Sequence, residues 1–174
     1  ILGKPLGIGI LGAAANKAEL DPDGYEQMVS TAVRLNSVGA RLAEMDGVHA
    51  ITDVTGFGLL GHLLEMCRGA NLAATVENAE VPMLPAAVDY AERGYNTGAS
   101  GRNWASYGHD VIVPSGMSDA VLNLLRDPQT SGGLLVACSS DAAQEVVRAF
   151  HDGGHVEARI MGRLSEGQPR VTVL

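Results

Sequence analysis

The chain has 174 residues, 46% of them apolar, and its 12 basic and 20 acidic side chains give a net charge of −8. This length fits one domain, and the apolar fraction argues against disorder. Binding to nucleic acid is disfavoured because phosphate neutralisation needs clustered lysine and arginine. The longest uncharged stretch, residues 128–140, is shorter than the ~20 apolar residues that a membrane-spanning helix needs.

The start of the chain and its cysteines bear on its origin. The first residue is Ile1 rather than methionine, so we expect the natural protein to begin further upstream. No basic stretch followed by an apolar one opens the chain, which argues against a secretory signal and predicts a cytoplasmic protein. Cys67 and Cys138 match no zinc spacing, which leaves either one disulfide or, as we favour, two buried free thiols.

The first part of the chain predicts a strand, a long helix, a second strand and a second helix. The apolar, glycine-rich residues 3–13 are typical of a strand or an extended segment. Asp21 followed by Pro22 is a helix-start signal, and apolar residues recur every three or four positions up to Met45. This pattern predicts one amphipathic helix that ends near Gly47. The next predicted elements are a strand at 48–52 and a helix at 59–68.

The remainder predicts alternating strands and helices. The predicted strands cover 72–76, 111–113, 134–138, 156–160 and 171–174. The predicted helices cover 84–93, 118–126 and a segment that runs from a capping box at Asp141 and Gln144 to about His151. Residues 95–108 carry no period and predict a long loop, a feature that is often functional. The class is therefore α/β, a single domain with a mixed β-sheet packed by helices.

A glycine pattern near the start, Gly7-x-Gly9-x-x-Gly12, matches the dinucleotide-binding fingerprint. That motif binds a pyrophosphate only where a strand ends and a helix begins. Here it falls inside the predicted strand, and no acidic residue lies between Gln27 and Arg41, where a ribose ligand is expected. A strand whose glycines admit a close neighbour is the better interpretation.

The segment DVTGFGLLGH, residues 53–62, places a carboxylate after a predicted strand and glycines before a helix. In α/β proteins ligands bind at the C-terminal ends of strands, where helix amides favour anions and a carboxylate can hold Mg²⁺. Asp53 is therefore a candidate magnesium ligand. The same residue types also cap helices and close turns, and spacing alone leaves both interpretations open.

Three further polar features have plainer explanations. The loop DPQTSGG, residues 127–133, could hold a phosphate, but we favour a structural turn. His62 and Glu65, three positions apart on one helix face, could share a metal, but an ordinary packed pair is the better interpretation. Trp104 in the predicted loop is interpreted as an anchor into the core. No Ser/His/Asp or Cys/His set is recognisable.

Four segments together resemble the selenophosphate synthetase (selenide, water dikinase) family. They occur in that family's order and span most of the chain. They are KPLG at 4–7 with GIL at 9–11, DVTGFGLLGH at 53–62, GRN at 101–103 and DPQTSGGLL at 127–135. The second and fourth are the most specific. Ile8 and Gly12 depart from the family, many members of which have threonine there.

The resemblance implies an enzyme that makes selenophosphate, AMP and phosphate from ATP, selenide and water, for selenocysteine and selenouridine synthesis. It also implies a superfamily shared with aminoimidazole ribonucleotide synthetase, thiamine-monophosphate kinase and a hydrogenase-maturation protein. In these proteins an N-terminal ATP-binding domain dimerises, and a C-terminal α/β domain closes over the active site. Residues 1–174 correspond to the second domain only.

The resemblance assigns one site residue to this chain. The counterpart of Asp53 joins carboxylates of the N-terminal domain in binding Mg²⁺ on the ATP phosphates. The nucleophilic cysteine or selenocysteine and its partner lysine belong to the absent domain, so Cys67, Cys138 and Lys4 do not inherit those roles. The isolated chain is expected to be inactive. Two alternatives to a selenophosphate synthetase remain open for this chain. It could be the C-terminal domain of another ATP-dependent member of the superfamily, or a non-catalytic binding or interaction module.

Overall fold

The strands form two separate sheets in the computed structural model, which describes residues 1–174. In chain order the strands are β1 (Val48–Asp53), β2 (Leu72–Val76), β3 (Val111–Ile112), β4 (Leu134–Cys138), β5 (Gly162–Glu166) and β6 (Val171–Val173). An antiparallel pair joins β1 to β4, with Asp53 opposite Leu134. A mixed sheet has the order β3-β6-β2-β5, in which only the β2–β5 pair is antiparallel.

Eight α-helices surround these sheets. They are α1 (Ile8–Asn16), α2 (Pro22–Val33), α3 (Val38–Ala43), α4 (Gly58–Ala70), α5 (Pro85–Glu92), α6 (Gly98–Tyr107), α7 (Asp119–Leu125) and α8 (Ala143–Asp152). The predicted α/β class is confirmed, with the strands divided between a mixed sheet and a separate pair. None of the helices has the length and apolarity needed to span a membrane.

The buried apolar residues form three clusters. The largest lies where α4 packs on the mixed sheet and includes Leu60, Leu64 and Val76. A second joins α1, α5 and α7, and a third joins α3 and α8 to β4. Burial of apolar surface in these clusters, at roughly 25 cal/mol per Å², is what holds the helices against the strands.

The prediction of a strand or extended segment over 3–13 is wrong from Ile8 onward. Helix α1 begins at Ile8, and before it only Leu2 and Leu6 form isolated bridges with other segments. The run of apolar residues is buried on nearly all sides. Complete burial removes the alternation that separates a helix from a strand, so this sequence pattern is ambiguous.

The long helix predicted from Asp21 to Gly47 is two helices, α2 and α3. The predicted start is confirmed, because Asp21 Oδ1 accepts a hydrogen bond from the Gly24 N–H at 2.7 Å. The helix stops at Arg34, whose backbone is extended and whose carbonyl oxygen accepts a 2.6 Å hydrogen bond from Lys4 Nζ. A contact from the distant N-terminus therefore takes the place of the next helical hydrogen bond.

Three later predictions also differ from the structure. Residues 95–108 are not a loop, because most of them form α6, whose cap Thr97 accepts a hydrogen bond from the Ser100 N–H. No strand covers 156–160, where only Arg159 makes a bridge, and the neighbouring strand β5 escaped prediction because it is polar and half-exposed. Helix α8 has Ala142 at its cap and no side-chain capping bond, so the box at Asp141 and Gln144 does not form.

Candidate functional site

Two motif segments, 101–103 and 127–135, contact one loop, residues 53–58, which joins β1 to α4. The first motif segment contacts the loop 127–133 instead. The loop 127–133 holds the first half of the loop 53–58: the Val54 N–H donates to Gly133 O at 2.9 Å, and Thr55 O accepts from the Gln129 N–H at 3.0 Å. Backbone hydrogen bonds of this kind fix a segment without depending on its side chains. The side chains of the loop therefore stay available.

Helix α6 holds the second half of the same loop. Asn103 Nδ2 donates to Gly56 O at 2.8 Å, and the Tyr107 hydroxyl donates to Phe57 O at 2.7 Å. Burial raises the pKa of Tyr107 to about 12, which keeps this donor protonated. The region that the sequence predicted to be an irregular loop is thus a helix that fixes the loop before α4.

Two glycines allow these segments to approach closely. A Cβ on Gly132 would lie 1.8 Å from Val54 O. Gly58 has a φ of +70°, and a Cβ there would lie 2.6 Å from the carbonyl carbon of Arg126. Both motifs therefore need glycine for backbone packing rather than for contact with a phosphate.

Asp53 is the last residue of β1, and its side chain is exposed. None of the protein's ion pairs includes it. No group of three or more His, Cys, Asp or Glu side chains is close enough to hold a metal ion. The carboxylate is thus free to act as a hard oxygen donor.

The start of α1 is bound by side chains of the loop 127–133. Gln129 Oε1 accepts from the N–H groups of Gly7 and Ile8, and Asp127 Oδ2 accepts from those of Gly9 and Ile10. These are the four helix amides that a pyrophosphate would otherwise contact. The argument that the glycine pattern lies inside a strand is therefore wrong, but its amides are already satisfied by the protein itself.

Asp127 is completely buried, and its environment acts on its charge in two directions. Burial raises the pKa of its carboxyl group to about 7, while hydrogen bonds from Ile10, Gln129 and Gly9 lower it. Its second oxygen, Oδ1, is buried with no hydrogen-bond partner. The structural interpretation of this loop is supported, since its polar groups cap a helix.

Lys4 has a structural position as well. Its Nζ donates to Ser131 O at 2.7 Å as well as to Arg34 O. These two hydrogen bonds connect the N-terminal segment with the end of α2 and with the loop 127–133. Burial, followed by the charge of Arg34, lowers the pKa of this ammonium group. Asn36 reinforces the same junction by donating to Gly132 O at 2.8 Å.

His62 and Glu65 form a hydrogen-bonded pair rather than a metal site. His62 Nδ1 lies 2.9 Å from Glu65 Oε2, and no third metal-ligating side chain joins them. Sequence reasoning missed a third member of the arrangement, Thr55, whose Oγ1 lies 3.1 Å from His62 Nε2. The seven-residue spacing across a loop and the first helical turns gave no periodic signal for this contact.

The remaining candidates are placed as follows. Both cysteines are free, as the favoured interpretation predicted, but only Cys67 is buried and Cys138 is half-buried. Trp104 lies on α6 and packs against the largest apolar cluster, with the Arg126 guanidinium 5.6 Å from its ring centroid. Trp104 therefore anchors α6 to the core rather than a loop.

The fold and this loop identify the class of protein. The chain matches the family described as AIR synthase related protein, C-terminal domain, over residues 1–174, and it belongs to that family. Among curated proteins it is similar to selenide, water dikinases. The relative from Pseudomonas straminea is 56% identical over 173 residues, which are 99% of this chain and 48% of that protein. The relative from Rhizobium meliloti (strain 1021) is 48% identical over 174 residues, 100% of this chain and 50% of that protein.

Solved structures show the same fold. Escherichia coli HypE, a hydrogenase maturation protein, superposes with a TM-score of 0.68 at 17% identity over 99% of this chain and 44% of HypE. Thiamine-monophosphate kinase from Stenotrophomonas maltophilia K279a gives 0.59 at 18% identity over 99% of this chain and 48% of the kinase. The chain spans about half the length of the relatives that it matches.

Proposed function

We propose that this chain is the C-terminal α/β part of a selenide, water dikinase, which makes selenophosphate from ATP, selenide and water with AMP and phosphate as the other products. The observation that carries the proposal is the 56% identity to a curated enzyme of that name over 99% of the chain. It is supported by two of the motif segments, 101–103 and 127–135, which both hold the loop that bears Asp53. Selenophosphate would then serve selenocysteine and selenouridine synthesis.

Asp53 is proposed to be the one Mg²⁺ ligand of this chain. Its exposed, unpaired carboxylate fits the preference of Mg²⁺ for hard oxygen donors. When bound, the ion would neutralise charge on the ATP phosphates. The hydrogen bonds to the backbone of Val54, Thr55 and Gly56 fix the loop that follows Asp53, which limits the motion of the backbone that carries the carboxylate.

The rest of the active site is proposed to lie in an N-terminal ATP-binding domain of the full-length protein. That domain would supply further carboxylates, the nucleophilic cysteine or selenocysteine with its lysine, and the dimer contacts. The absence of a metal-binding cluster in this chain supports the division, because one carboxylate holds Mg²⁺ poorly. The present chain would close over the bound ATP with its Asp53 loop.

The experiment that tests this proposal compares two carboxylate variants of the full-length protein. Asp53→Asn removes the charge of the proposed ligand, while Asp46→Asn makes the same change at another exposed aspartate that has no ion pair. We expect Asp53→Asn to reduce selenide-dependent AMP formation by at least about a hundredfold, a typical loss for an electrostatic contact to the transition state. Normal activity and Mg²⁺ dependence in Asp53→Asn would refute the assignment.

A second candidate is another ATP-dependent enzyme of the same fold. It is favoured by the similarity to a HypE structure determined in complex with ATP, which has a TM-score of 0.62 at 16% identity. The two candidates differ in the acceptor that supports ATP cleavage. Cleavage of ATP that depends on selenide supports the first candidate, and cleavage that is indifferent to selenide supports the second.

A further inference from the structure

Three side chains form a continuous hydrogen-bonded line beside Asp53. Thr55 Oγ1 lies 3.1 Å from His62 Nε2, and His62 Nδ1 lies 2.9 Å from Glu65 Oε2. Helix α4 places His62 and Glu65 three positions apart, on one face, with the imidazole turned back toward the loop. Both ring nitrogens of His62 are therefore engaged, one on each side.

The chemistry of the three groups fixes the direction of the hydrogen bonds. A carboxylate can only accept, so the proton of a neutral imidazole sits on Nδ1 and is donated to Glu65. The other nitrogen, Nε2, then has only a lone pair, and the Thr55 hydroxyl must donate to it. The single proton of Thr55 is thereby committed, and its oxygen presents only lone pairs to other groups.

The surroundings hold this arrangement in place. The side chain of His62 is only 10% exposed, and the Phe57 ring packs against it with 5.6 Å between ring centroids. The Thr55 carbonyl oxygen accepts from the N–H groups of Gln129 and Gly58, which fixes the backbone on which the hydroxyl is carried. A fixed backbone and a blocked imidazole leave the Thr55 hydroxyl little rotational freedom.

Thr55 and Asp53 belong to the same side of the loop. Val54 between them is completely buried, whereas Asp53 is exposed and Thr55 is half-buried. In an extended segment, side chains two positions apart point to the same face, opposite to the one between them. The burial pattern therefore puts the side chains of Asp53 and Thr55 on the face of the segment opposite Val54, with Thr55 partly exposed.

We propose that His62, backed by Glu65, is a positioning residue that presents Thr55 Oγ1 as an acceptor for one O–H of the water that attacks a phosphoanhydride of ATP. This inference rests on the proposed function, whose reaction consumes water. Water that donates one O–H to Thr55 keeps an oxygen lone pair for the phosphorus atom, so its approach is oriented. As the new P–O bond forms, the anhydride P–O bond breaks and its oxygen leaves on the nucleotide phosphate. The other proton of the water passes to a phosphate oxygen of the substrate. A merely structural role of the three side chains would instead affect stability alone.

A pair of substitutions at His62 separates the two roles. In His62→Gln the amide group reaches the position of Nε2 and can still accept from Thr55, whereas in His62→Asn it reaches only the position of Nδ1 and meets Glu65. Both remove the ring that packs on Phe57, and the two variants differ from each other by one methylene group. The assay is steady-state AMP formation by the full-length protein, with thermal unfolding of each variant measured alongside.

The expected result is a split between the two variants. His62→Asn should lower kcat by about tenfold or more with little change in the KM for ATP, as for an interaction made mainly in the transition state. His62→Gln should stay within about threefold of the parent enzyme, although both variants lose similar thermal stability. Thr55→Val should behave like His62→Asn, and Thr55→Ser should behave like the parent.

Two outcomes would overturn the inference: equal kcat values for His62→Asn and His62→Gln, or a normal kcat for Thr55→Val. Asp53→Asn in the same assay separates failure of the Thr55 inference from failure of the proposed function. An active Asp53→Asn variant refutes the magnesium assignment, whereas an inactive one leaves only the Thr55 role refuted. A readout independent of activity is the ¹⁵N spectrum of the histidines, assigned with His62→Gln. It should show the Nδ1–H tautomer for His62, and the Nε2–H tautomer would contradict the proposed hydrogen-bond direction.

Discussion

Asp127 Oδ2 accepts a hydrogen bond of 2.8 Å from the backbone N–H of Gly9, 118 positions earlier in the chain. Because this carboxyl group lies at the N-terminus of α1, its oxygen occupies the position that an external anion would take. The glycine pattern at 7–12 and the loop 127–133, which both looked like phosphate sites in the sequence, thus satisfy each other. The open polar group near them is Asp53, on the neighbouring loop.

Asp127→Asn should change how stability depends on pH. The pKa of Asp127 rises from 3.8 to about 7 on folding, so between these values the folded protein holds a proton that the unfolded chain releases. Raising the pH across this window therefore lowers the free energy of unfolding, by up to about 1.4 kcal/mol per pH unit. Asparagine keeps an acceptor oxygen for Gly9 and Ile10 but does not titrate.

The measurement is urea unfolding of both proteins at several pH values from about 4 to about 7.5. The parent should lose stability relative to Asp127→Asn as the pH rises through the window. A control at an exposed carboxylate, Asp46→Asn, should leave the pH profile of the parent unchanged. Parallel profiles for the parent and Asp127→Asn would show that the carboxyl group is ionised in the fold throughout the range.

Gly132→Ala should destabilise the fold severely. Its new Cβ would lie 1.8 Å from Val54 O, which is backbone and cannot move without breaking the hydrogen bond from Val54 to Gly133. We expect a loss of more than about 3 kcal/mol, typical of overpacking combined with broken backbone bonds. Thermal unfolding measures the change, and Gly101→Ala on α6 is the matched control.

At Gly101 a Cβ would meet nothing within 4 Å, and the residue lies inside a helix. The same substitution should therefore be neutral or stabilise the protein by up to about 1 kcal/mol, because alanine loses less entropy than glycine in a helix. If Gly132→Ala were as mild as Gly101→Ala, the loop 127–133 would not pack against the Asp53 loop as described.

Asn103→Ala should loosen the Asp53 loop while the fold survives. The amide donates to Gly56 O at 2.8 Å and, more weakly, to Arg126 O at 3.4 Å, and its removal leaves both carbonyl oxygens without that donor. A cost of about 1–3 kcal/mol is expected for an acceptor left unsatisfied. Hydrogen exchange should report faster exchange of the loop amides, with Arg102→Ala as the control for a neighbouring exposed residue.

Asn103→Ala should also change the Mg²⁺ dependence of activity in the full-length protein. A displaced Asp53 carboxylate should raise the Mg²⁺ concentration needed for half-maximal activity, because a flexible ligand pays more entropy on binding. An unchanged Mg²⁺ dependence together with faster loop exchange would mean that Asp53 keeps its position without Asn103.

The two thiols should react slowly with alkylating reagents at neutral pH. Burial raises the pKa of Cys67 and of Cys138, which reduces the thiolate that reacts. Cys138 is half-buried and should react before Cys67, and denaturant should expose both. Mass spectrometry of the native and unfolded protein counts the modified thiols. If neither thiol were labelled in the protein unfolded without reductant, the two cysteines would form a disulfide, which would contradict the free state.

Local sequence patterns predicted the elements that place Asp53. The strand before it is marked by Val48, Ala50 and Ile51, and the helix after it by a helical period between Leu59 and Arg68, so both appear close to their predicted bounds. The Asp21 cap, likewise, needs only its neighbours Pro22 and Gly24.

The features that escaped prediction depend on distant parts of the chain. Arg34 leaves the helical conformation because Lys4 binds its carbonyl oxygen, and no local pattern encodes that partner. Helix α6 is rich in small polar residues with a weak period, and contacts of Asn103 and Tyr107 with the Asp53 loop hold it in place. The Thr55–His62 contact likewise forms only once the loop is closed.

The antiparallel pairing of β1 with β4 sets the order in which the site can form during synthesis. Asp53 leaves the ribosome long before Gly133, whose carbonyl oxygen receives the Val54 N–H, and before Gln129 and Leu134. At ~5–20 residues per second, the nascent loop waits several seconds for these partners. A stalled or truncated chain that ends before residue 127 would therefore carry the complete DVTGFG motif and still lack a formed site. Folding of this loop during synthesis is thus completed only when the last third of the chain has been made.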